Sequence, residues 1–486
     1  MGIVVRQSIQ NTITTYIGFA VGALNTLFLY TNFLTDEYYG LVGFLLSAAT
    51  IMTPLMAFGV HNTLVKFYSS YEDLTQRNNF LSFMIYLPLL MIIPVGLIGV
   101  FAYESISSFL SKENEVISSY VPSIFLIAVA MAYFEVFYAW SKVHMRSVFG
   151  NFMKEVFHRV VIMLLLFAVY FELIDANEFV WSLVGVYFLR AVVMKLYAYK
   201  LKFPRIIFKF PKNSKQIFTY SSMIIVAGSI ALVLLDIDKV MIGKYIPIEN
   251  VAYYNVAIFI AMVIIVPARA MHQITYPITA ELLNSRNWEE LENLYKKSSL
   301  TLFVISGWVF LMIVLNVNQL YELIPNEYST GLFVVLLISI SKLFDNLLGI
   351  NNAILYNSDY YKWTVVLGVL LAILTITLNV IFIPKYGING AAVATFLSLF
   401  LYSLAKIIVV KIKFNMHPFS KETLKVSLVL GLFYALFYLW DFQFHPIVNI
   451  GLKSLIFSLV YFILMYKGKI SNDINSLFDA IVKRIF

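Results

Sequence analysis

The chain has 486 residues, of which 60% are hydrophobic and only 13% are charged, with a net charge of +8. A soluble protein carries charge on about a quarter of its residues, so this composition excludes a soluble globular protein and indicates apolar helices in a bilayer. The absence of cysteine excludes disulfide bonds and thiolate metal sites.

Apolar runs of about 20 residues, the length that crosses a bilayer, recur along the whole chain. The first run has no small-residue cleavage site, so we predict a span and not a signal peptide. Fourteen runs are long enough, which predicts an all-α polytopic membrane protein with about fourteen transmembrane helices. The predicted spans are 11–33, 40–61, 80–103, 118–140, 153–173, 178–199, 217–238, 250–272, 298–318, 329–350, 362–383, 388–410, 424–440 and 446–466.

Basic residues are concentrated in every second connection between these spans. The connection KLKFPRIIFKFPKNSK, for example, is strongly basic, whereas TDEYYG, FELIDANEF, NVNQLYELIPNEY and WDFQFHP contain no Lys or Arg. By the positive-inside rule, this alternation predicts that both termini are cytoplasmic. It also accounts for the net positive charge, so we expect membrane lipids and no nucleic acid as partners.

The chain also repeats a pattern at its second and eighth spans. Each has a tyrosine pair (Tyr38-Tyr39 and Tyr253-Tyr254), then an apolar run with a proline, then a histidine followed by a polar residue. The repeat keeps the orientation of the spans, which predicts two parallel six-helix lobes with two further helices. The predicted parts are an N-terminal lobe at 1–210, a C-terminal lobe at 211–415, two additional transmembrane helices at 416–468 and a cytoplasmic amphipathic tail at 469–486.

Spans eleven and twelve are joined by the glycine-rich stretch IPKYGINGAA, residues 383–392. A phosphate-binding loop would need a preceding strand and a following Lys-Ser/Thr, and neither is present. Pro384 ends one helix, Gly387 permits a turn, and Gly390 lets the next helix pack closely. We therefore predict a helical hairpin.

Two stretches, IPKYGINGAAVAT and LDIDKVMIGKYIPIENVAYYNVA, resemble sequences of the Wzx-type O-antigen flippases. These belong to the multidrug/oligosaccharidyl-lipid/polysaccharide (MOP) exporter superfamily. The resemblance implies two lobes around a central cavity that opens alternately to either side. It also implies movement of undecaprenyl-diphosphate-linked sugar repeat units from the inner to the outer leaflet of the bacterial cytoplasmic membrane. Lipid-linked oligosaccharide is then the expected substrate, and the polysaccharide polymerase machinery a candidate partner.

Ionisable residues inside a membrane usually face a wet cavity or a partner, because they are costly in hydrocarbon. The cationic candidates for holding a lipid diphosphate or acidic sugars are Arg190, Arg159, Arg269 and Lys342. The acidic candidates for the cavity are Glu135 and Asp236.

Each of these candidates also has a purely structural interpretation. Arg190 is the strongest candidate, and its alternative is a buried pair with Glu135. Lys342 is spaced to pair with Asp345 on its own helix. Arg159 and Arg269 lie near span ends, where their side chains can reach the headgroups, and Asp236 can simply mark the end of its span.

Three function classes come into consideration for this sequence. The flippase is favoured because a cationic lumen lowers the barrier to a diphosphate. A cation-coupled small-molecule or drug exporter of the same fold is the alternative, and it would favour carboxylates and aromatic rings in its cavity. An enzyme is disfavoured, since no nucleophile–base pair, metal-ligand cluster or nucleotide loop is evident. No cofactor is expected, and a coupling ion, either a proton or a sodium ion, stays open.

Overall fold

The computed structural model describes residues 3–204, 210–471, 475, 476 and 479, without the side chains of 3–6, 8 and 226–235. This part of the chain contains helices and no strand, which confirms the all-α class. The predicted amphipathic tail lies largely outside the described residues. The chain divides into two compact units, residues 1–255 and 256–486. The two units are defined by which residues pack together, whereas the two lobes were predicted from the sequence repeat. The predicted lobe boundary at residue 210 therefore stays a prediction.

The first unit is built around three neighbouring helices, α3, α8 and α12. Helix α3 packs against α8 and α12, and α8 packs against α11. The helices are α1 (Ile3–Leu24), α2 (Tyr30–Phe33), α3 (Asp36–Met56), α4 (Val60–Phe67), α5 (Leu74–Tyr86), α6 (Leu89–Phe101), α7 (Tyr103–Leu110), α8 (Val121–Val143), α9 (Ser147–Phe152), α10 (His158–Tyr170), α11 (Ala176–Leu201), α12 (Ser214–Tyr245) and α13 (Glu249–Met262), the last of which continues into the second unit.

The second unit has its core where α15 packs against α14, α17 and α20. Helix α17 also packs along α19. The helices are α14 (Val266–Asn284), α15 (Trp288–Val314), α16 (Val317–Tyr321), α17 (Leu332–Leu347), α18 (Asn351–Asn357), α19 (Tyr361–Phe414), α20 (Lys421–Phe437) and α21 (Pro446–Lys467).

Ten helical segments in the described part are long and apolar enough to cross a membrane. One of them, α19, contains both the eleventh and the twelfth predicted span. The predicted spans outside these ten segments are 153–173, which holds several charges, 424–440, where α20 has only 17 residues, and 217–238, which is only partly described. A multi-pass membrane protein is confirmed, and the number fourteen stays a prediction.

The second predicted span is shorter in the structure than the sequence indicated. Helix α3 ends at Met56, and α4 begins at Val60. Between them Phe58 and Gly59 have positive φ angles of 48° and 63°. The C-terminal end of the predicted span 40–61 was therefore wrong. Apolar residues continue across the break between α3 and α4, so hydropathy alone does not show it.

The predicted hairpin at Gly387 is confirmed. Gly387 has φ 59° and ψ −139°, a conformation that only glycine adopts without strain. A Cβ at Gly390 would overlap the carbonyl oxygen of Phe382. Residues eight apart in a continuous helix are separated by about 12 Å, so this contact shows that α19 folds back on itself.

One end of α3 is held tightly against the start of α13. A Cβ at Gly40 would overlap the carbonyl oxygen of Ile248, so the two backbones touch directly. Asn114 lies beside this contact and its side chain makes three backbone hydrogen bonds. Its amide donates to the carbonyl oxygens of Gly243, at 2.7 Å, and Ile246, at 2.9 Å, while its oxygen accepts from the Ile248 N–H at 2.9 Å.

Candidate functional site

Arg190 lies inside the first unit, on α11 and against α8. A capping box between Asp175 and Glu178 fixes where α11 begins. The guanidinium carbon lies 4.2 Å from the centre of the Phe134 ring and 4.8 Å from that of Tyr187. Only 6% of Arg190 is exposed. These two aromatic faces stabilise the cation without neutralising it.

Arg190 has no carboxylate partner among the residues that the structure describes, and its Nε has no hydrogen-bond acceptor there. The alternative interpretation, a buried pair with Glu135, was therefore wrong. Glu135 instead accepts a 2.6 Å hydrogen bond from the ammonium of Lys154. A buried guanidinium whose Nε lacks an acceptor in the described part of the chain is suited to an anion that arrives from outside the protein.

The segment that supplies Lys154 is a π-helix, Met153–Phe157, between α9 and α10. A π-helix has wider turns than an α-helix and turns its side chains to different directions. Lys154 thereby meets Glu135 on α8, while Glu155 lies 3.6 Å from Arg159 at the start of α10. A second π-helix, Asn25–Leu29, lies opposite, and Asn25 donates to the Arg159 carbonyl oxygen at 2.8 Å.

Helix α1 reaches this region because two of its residues are glycines. A Cβ at Gly18 would overlap the carbonyl oxygen of Glu155. A Cβ at Gly22 would lie 3.3 Å from the Arg159 side chain, which is a tight contact. Helix α1 therefore packs directly on the charged segment.

Together these side chains form a basic cluster, which we define as Lys142, Lys154, Arg159 and Arg190. Lys142 lies 3.9 Å above the ring of Tyr138, and Arg190 interacts electrostatically with Glu135, Glu155 and Arg159. Four cations against the two carboxylates Glu135 and Glu155 leave an excess of two positive charges. The cluster can attract and hold an anion.

The other predicted candidates lie elsewhere. Asp236, on α12, accepts hydrogen bonds from Ser47 at 2.9 Å and Lys239 at 3.1 Å, and it interacts with Tyr187 beside Arg190. Arg269, on α14, and Lys342, on α17, belong to the second unit, where Arg269 is exposed. Only Arg190, Arg159 and Glu135 are brought together, and Asp236 lies at their edge.

Two lysines that the sequence analysis did not single out carry important contacts. Lys154 lies in the predicted span 153–173 but was not among the candidates, and the π-helix places it against Glu135. Lys406 is buried in α19 and pairs with Asp345 at 3.4 Å, so Asp345 is not reserved for Lys342 as the spacing had suggested. The apolar context of Lys406, SLAKIIVV, was the available signal.

The described part of the chain contains no group of three or more His, Cys, Asp or Glu residues that could hold a metal ion. The basic cluster can bind an anion through its guanidinium and ammonium groups.

Comparison with protein families gives a match over residues 4–283 to the model described as "Polysaccharide biosynthesis protein". Among curated proteins, none matches the chain in sequence.

Solved structures of several membrane transporters share the fold. A structure of the lipid II flippase MurJ in an inward closed conformation superimposes with a TM-score of 0.72 at 14% identity, covering 95% of this chain and 100% of that one. An inward-facing multidrug resistance MATE family transporter of the MOP superfamily gives 0.63 at 14% identity, covering 90% and 100%. A MOP superfamily transporter from Pyrococcus furiosus, described as having a binding pocket of reversed polarity, gives 0.57 at 14% identity, covering 84% and 95%.

Proposed function

The chain belongs to the polysaccharide biosynthesis protein family, and from this premise we propose that it is a flippase for lipid-linked oligosaccharides. Its fold is that of MOP superfamily transporters, one of which is named a lipid II flippase. The proposed substrate is an undecaprenyl-diphosphate-linked repeat unit of O-antigen or another surface polysaccharide. The protein carries it by alternating access and catalyses no covalent step.

The observation that carries this proposal is the buried guanidinium of Arg190, which has no carboxylate partner among the described residues and lies within a cluster of net positive charge. A diphosphate is very costly to move through hydrocarbon unless its charge is matched. The planar guanidinium donates two parallel hydrogen bonds to phosphate oxygens and stays charged at every physiological pH. Arg159 supplies further positive charge close to it.

We propose the cytoplasmic membrane of a bacterium as the location, with both termini cytoplasmic and export from the inner to the outer leaflet. The alternation of basic connections supports this orientation. An inside-negative potential favours outward movement of negative charge by about 2.3 kcal/mol per charge per 100 mV. Delivery of the flipped unit to a polysaccharide polymerase stays a prediction.

A cation-coupled exporter of small molecules is the second candidate, because the MATE transporter has the same fold. The basic cluster argues against organic cations as its substrates. The two excess positive charges repel a cation at short range. The Glu135 carboxylate, which could attract a cation, is already bound to Lys154.

The proposal is tested with purified protein in sealed vesicles and a fluorescent undecaprenyl-diphosphate-linked oligosaccharide in one leaflet. We expect protein-dependent flipping that falls about tenfold or more in Arg190→Ala, since a charged hydrogen-bonded contact contributes about 1.5–3 kcal/mol. Arg190→Lys, which keeps the charge but loses the planar fork, should be intermediate. Lys195→Ala removes an exposed cation from the same helix and should flip normally.

The outcomes separate the two candidates. No flipping of several such lipids, together with uptake of an organic cation, would replace the flippase with the exporter. Normal flipping in Arg190→Ala would keep the flippase and remove Arg190 from its mechanism. The thermal stability of each variant, measured in detergent, shows whether a loss of flipping reflects loss of the fold.

A further inference from the structure

The second unit contains a pocket of about 710 Å³ where three segments between or after its helices meet. These segments are the connection from α14 to α15, the connection from α18 to α19, and the C-terminal end of α19. Binding sites for small molecules have volumes of about 300–1,000 Å³. The pocket is therefore large enough to hold a small ligand.

This pocket lies on the predicted cytoplasmic side of the membrane. The segments that form it are basic, with Arg286 between α14 and α15, Lys362 at the start of α19, and Lys411 and Lys413 at its end. The positive-inside rule places such segments in the cytoplasm. An oligosaccharide that is linked to a lipid of the inner leaflet extends from the membrane on this same side.

Three aromatic rings line the pocket, and each comes from a different one of the three segments. The centre of the Phe414 ring lies 5.9 Å from that of Trp288 and 5.5 Å from that of Tyr360. Trp288 is nevertheless 45% exposed, so its neighbours hold one part of the indole and leave the rest open. The apolar C–H face of a sugar ring packs on such a surface and removes it from water.

Other side chains that line the pocket supply hydrogen-bond donors and acceptors. They include the amides of Asn284 and Asn415 and the carboxylate of Asp359. These three side chains are exposed and have no hydrogen-bond partner in the described part of the chain. An amide donates and accepts hydrogen bonds, an ionised carboxylate accepts them, and a hydroxyl group does both. The three side chains therefore match the hydroxyl groups around a sugar ring.

The charges around the pocket nearly balance. Arg286 and Lys413 are cations, and Asp359 is an anion. Helices α14 and α19 both end at the pocket, and the C-terminus of a helix carries about half a negative charge. Lys413 lies in the last turn of α19, and Arg286 follows the end of α14 by two residues. Little excess charge of either sign is left for a phosphate or an organic cation, so a neutral polyhydroxyl compound is the better match.

We propose that this pocket binds a sugar ring of the lipid-linked substrate, an inference that rests on the proposed function. The C–H face of the ring packs on Trp288, and its hydroxyl groups form hydrogen bonds with Asn284, Asp359 and Asn415. The diphosphate is common to all lipids of this class, and only the sugars differ. A sugar site therefore supplies a selectivity that the basic cluster does not.

The first test needs no transport. Purified protein in detergent is titrated with a free hexose, an N-acetylhexosamine and a hexuronic acid, and binding is followed by saturation-transfer NMR. We expect the wild type to bind at least one of them and Trp288→Ala to bind it about tenfold more weakly, because the ring face is lost. No binding of any of the three sugars overturns the proposal, and so does equal binding by Trp288→Ala.

The chain offers a matched control for this substitution. Trp181, in α11 of the first unit, is 40% exposed, and its ring centre lies 6.0 Å from that of Tyr120. Trp181→Ala therefore removes an equally exposed indole from a similar ring contact and should bind the sugars as the wild type does. Thermal unfolding of both variants shows whether a loss of binding reflects loss of the fold.

A second measurement identifies the source of the sugar. The affinity for the fluorescent undecaprenyl-diphosphate-linked oligosaccharide is compared with that for undecaprenyl diphosphate without sugars. We expect the wild type to bind the oligosaccharide-linked lipid several-fold more tightly. This preference should disappear in Trp288→Ala and Asp359→Ala and persist in Trp181→Ala. Free sugars that bind through Trp288, together with no preference between the two lipids, would overturn the substrate as the occupant and assign the pocket to a cytosolic sugar.

The sugar site and the flippase can fail separately in these experiments. If the wild type prefers the oligosaccharide-linked lipid through Trp288 but does not flip it, the proposed function fails while the sugar site stands. If the wild type flips this lipid and Trp288→Ala keeps the full preference for it, the sugar site is overturned and the flippase stands.

Discussion

The guanidinium of Arg190 lies 4.2 Å from the centre of the Phe134 ring, and the residue that follows Phe134, Glu135, turns away from it to bind Lys154. One helix thus presents an aromatic face to one cation and a carboxylate to another. The consequence is that Arg190 is held in place without being neutralised, which is the property that an anion-binding site inside a membrane protein needs.

Replacement of Phe134 by leucine should weaken the hold on Arg190 without adding a polar group. A cation–π contact contributes about 0.5–2 kcal/mol, so we expect a lower melting temperature and flipping reduced several-fold. The measurement is thermal unfolding together with the vesicle assay. In an Arg190→Ala background the same change should have little further effect on flipping, and an undiminished effect there would show that Phe134 acts independently of Arg190.

For the pair of Glu135 and Lys154, we predict a substitution that strengthens substrate binding instead of weakening transport. Glu135→Gln removes one carboxylate, so the excess charge of the cluster rises from two to three and an anionic substrate should bind more tightly. We expect a loss of about 1–2 kcal/mol in unfolding free energy, less than for a fully buried pair because Lys154 is 42% exposed. A binding assay with the anionic lipid tests the expected gain in affinity, and thermal unfolding tests the expected loss of stability. Weaker binding of the anionic lipid would contradict the assignment of the cluster as its site.

The contact at Gly40 predicts a large steric effect from a single methyl group. Gly40→Ala places a Cβ on the carbonyl oxygen of Ile248, and crowding of this kind costs about 1–3 kcal/mol. Gly99→Ala is the control, since a Cβ at Gly99, in α6, meets no atom within 4 Å. Thermal unfolding of both variants should show a clear loss only for Gly40→Ala. Equal melting temperatures would mean that the backbone at the start of α13 shifts to accommodate the added methyl group at little cost in free energy.

The side chain of Asn114 makes three backbone hydrogen bonds beside that same contact. Asn114→Ala removes all three, and at about 0.5–1.5 kcal/mol each the expected loss in unfolding free energy is about 1.5–4.5 kcal/mol. Asn250→Ala serves as the comparison, because its amide donates to the carbonyl oxygen of Pro247, three residues before it. Hydrogen exchange of residues 243–248 should accelerate in the first variant. Unchanged exchange there would show that other contacts fix this segment.

The positions of the helices could be predicted from the sequence because hydrophobicity and helix-breaking residues act locally. Apolar runs mark where each helix lies, and Pro384 with Gly387 marks the hairpin whatever surrounds it. The end of α3 was missed for the same reason. Phe58 is apolar and continues the run, and the glycine that follows it at positive φ, Gly59, was the available local signal of a helix end.

The partners of the charged side chains could not be predicted in this way. Glu135 and Arg190 are both intramembrane by sequence, so they looked like a pair, and Lys342 and Asp345 have helical spacing. In the structure Glu135 binds Lys154 and Asp345 binds Lys406. The rotation of each helix about its axis decides these partners. At Lys154 a π-helix changes that rotation, and its hydrogen-bonding pattern has no signature in hydropathy.

The two glycines of α1 that lie against Glu155 and Arg159 are four residues apart, in the sequence GFAVG. Small residues with this spacing often mark a surface through which two transmembrane chains dimerise. Here the same face is already covered by a helix of its own chain. The motif therefore gives no reason to expect an oligomer, and any self-association of this protein has to use a surface other than the glycine face of its first helix.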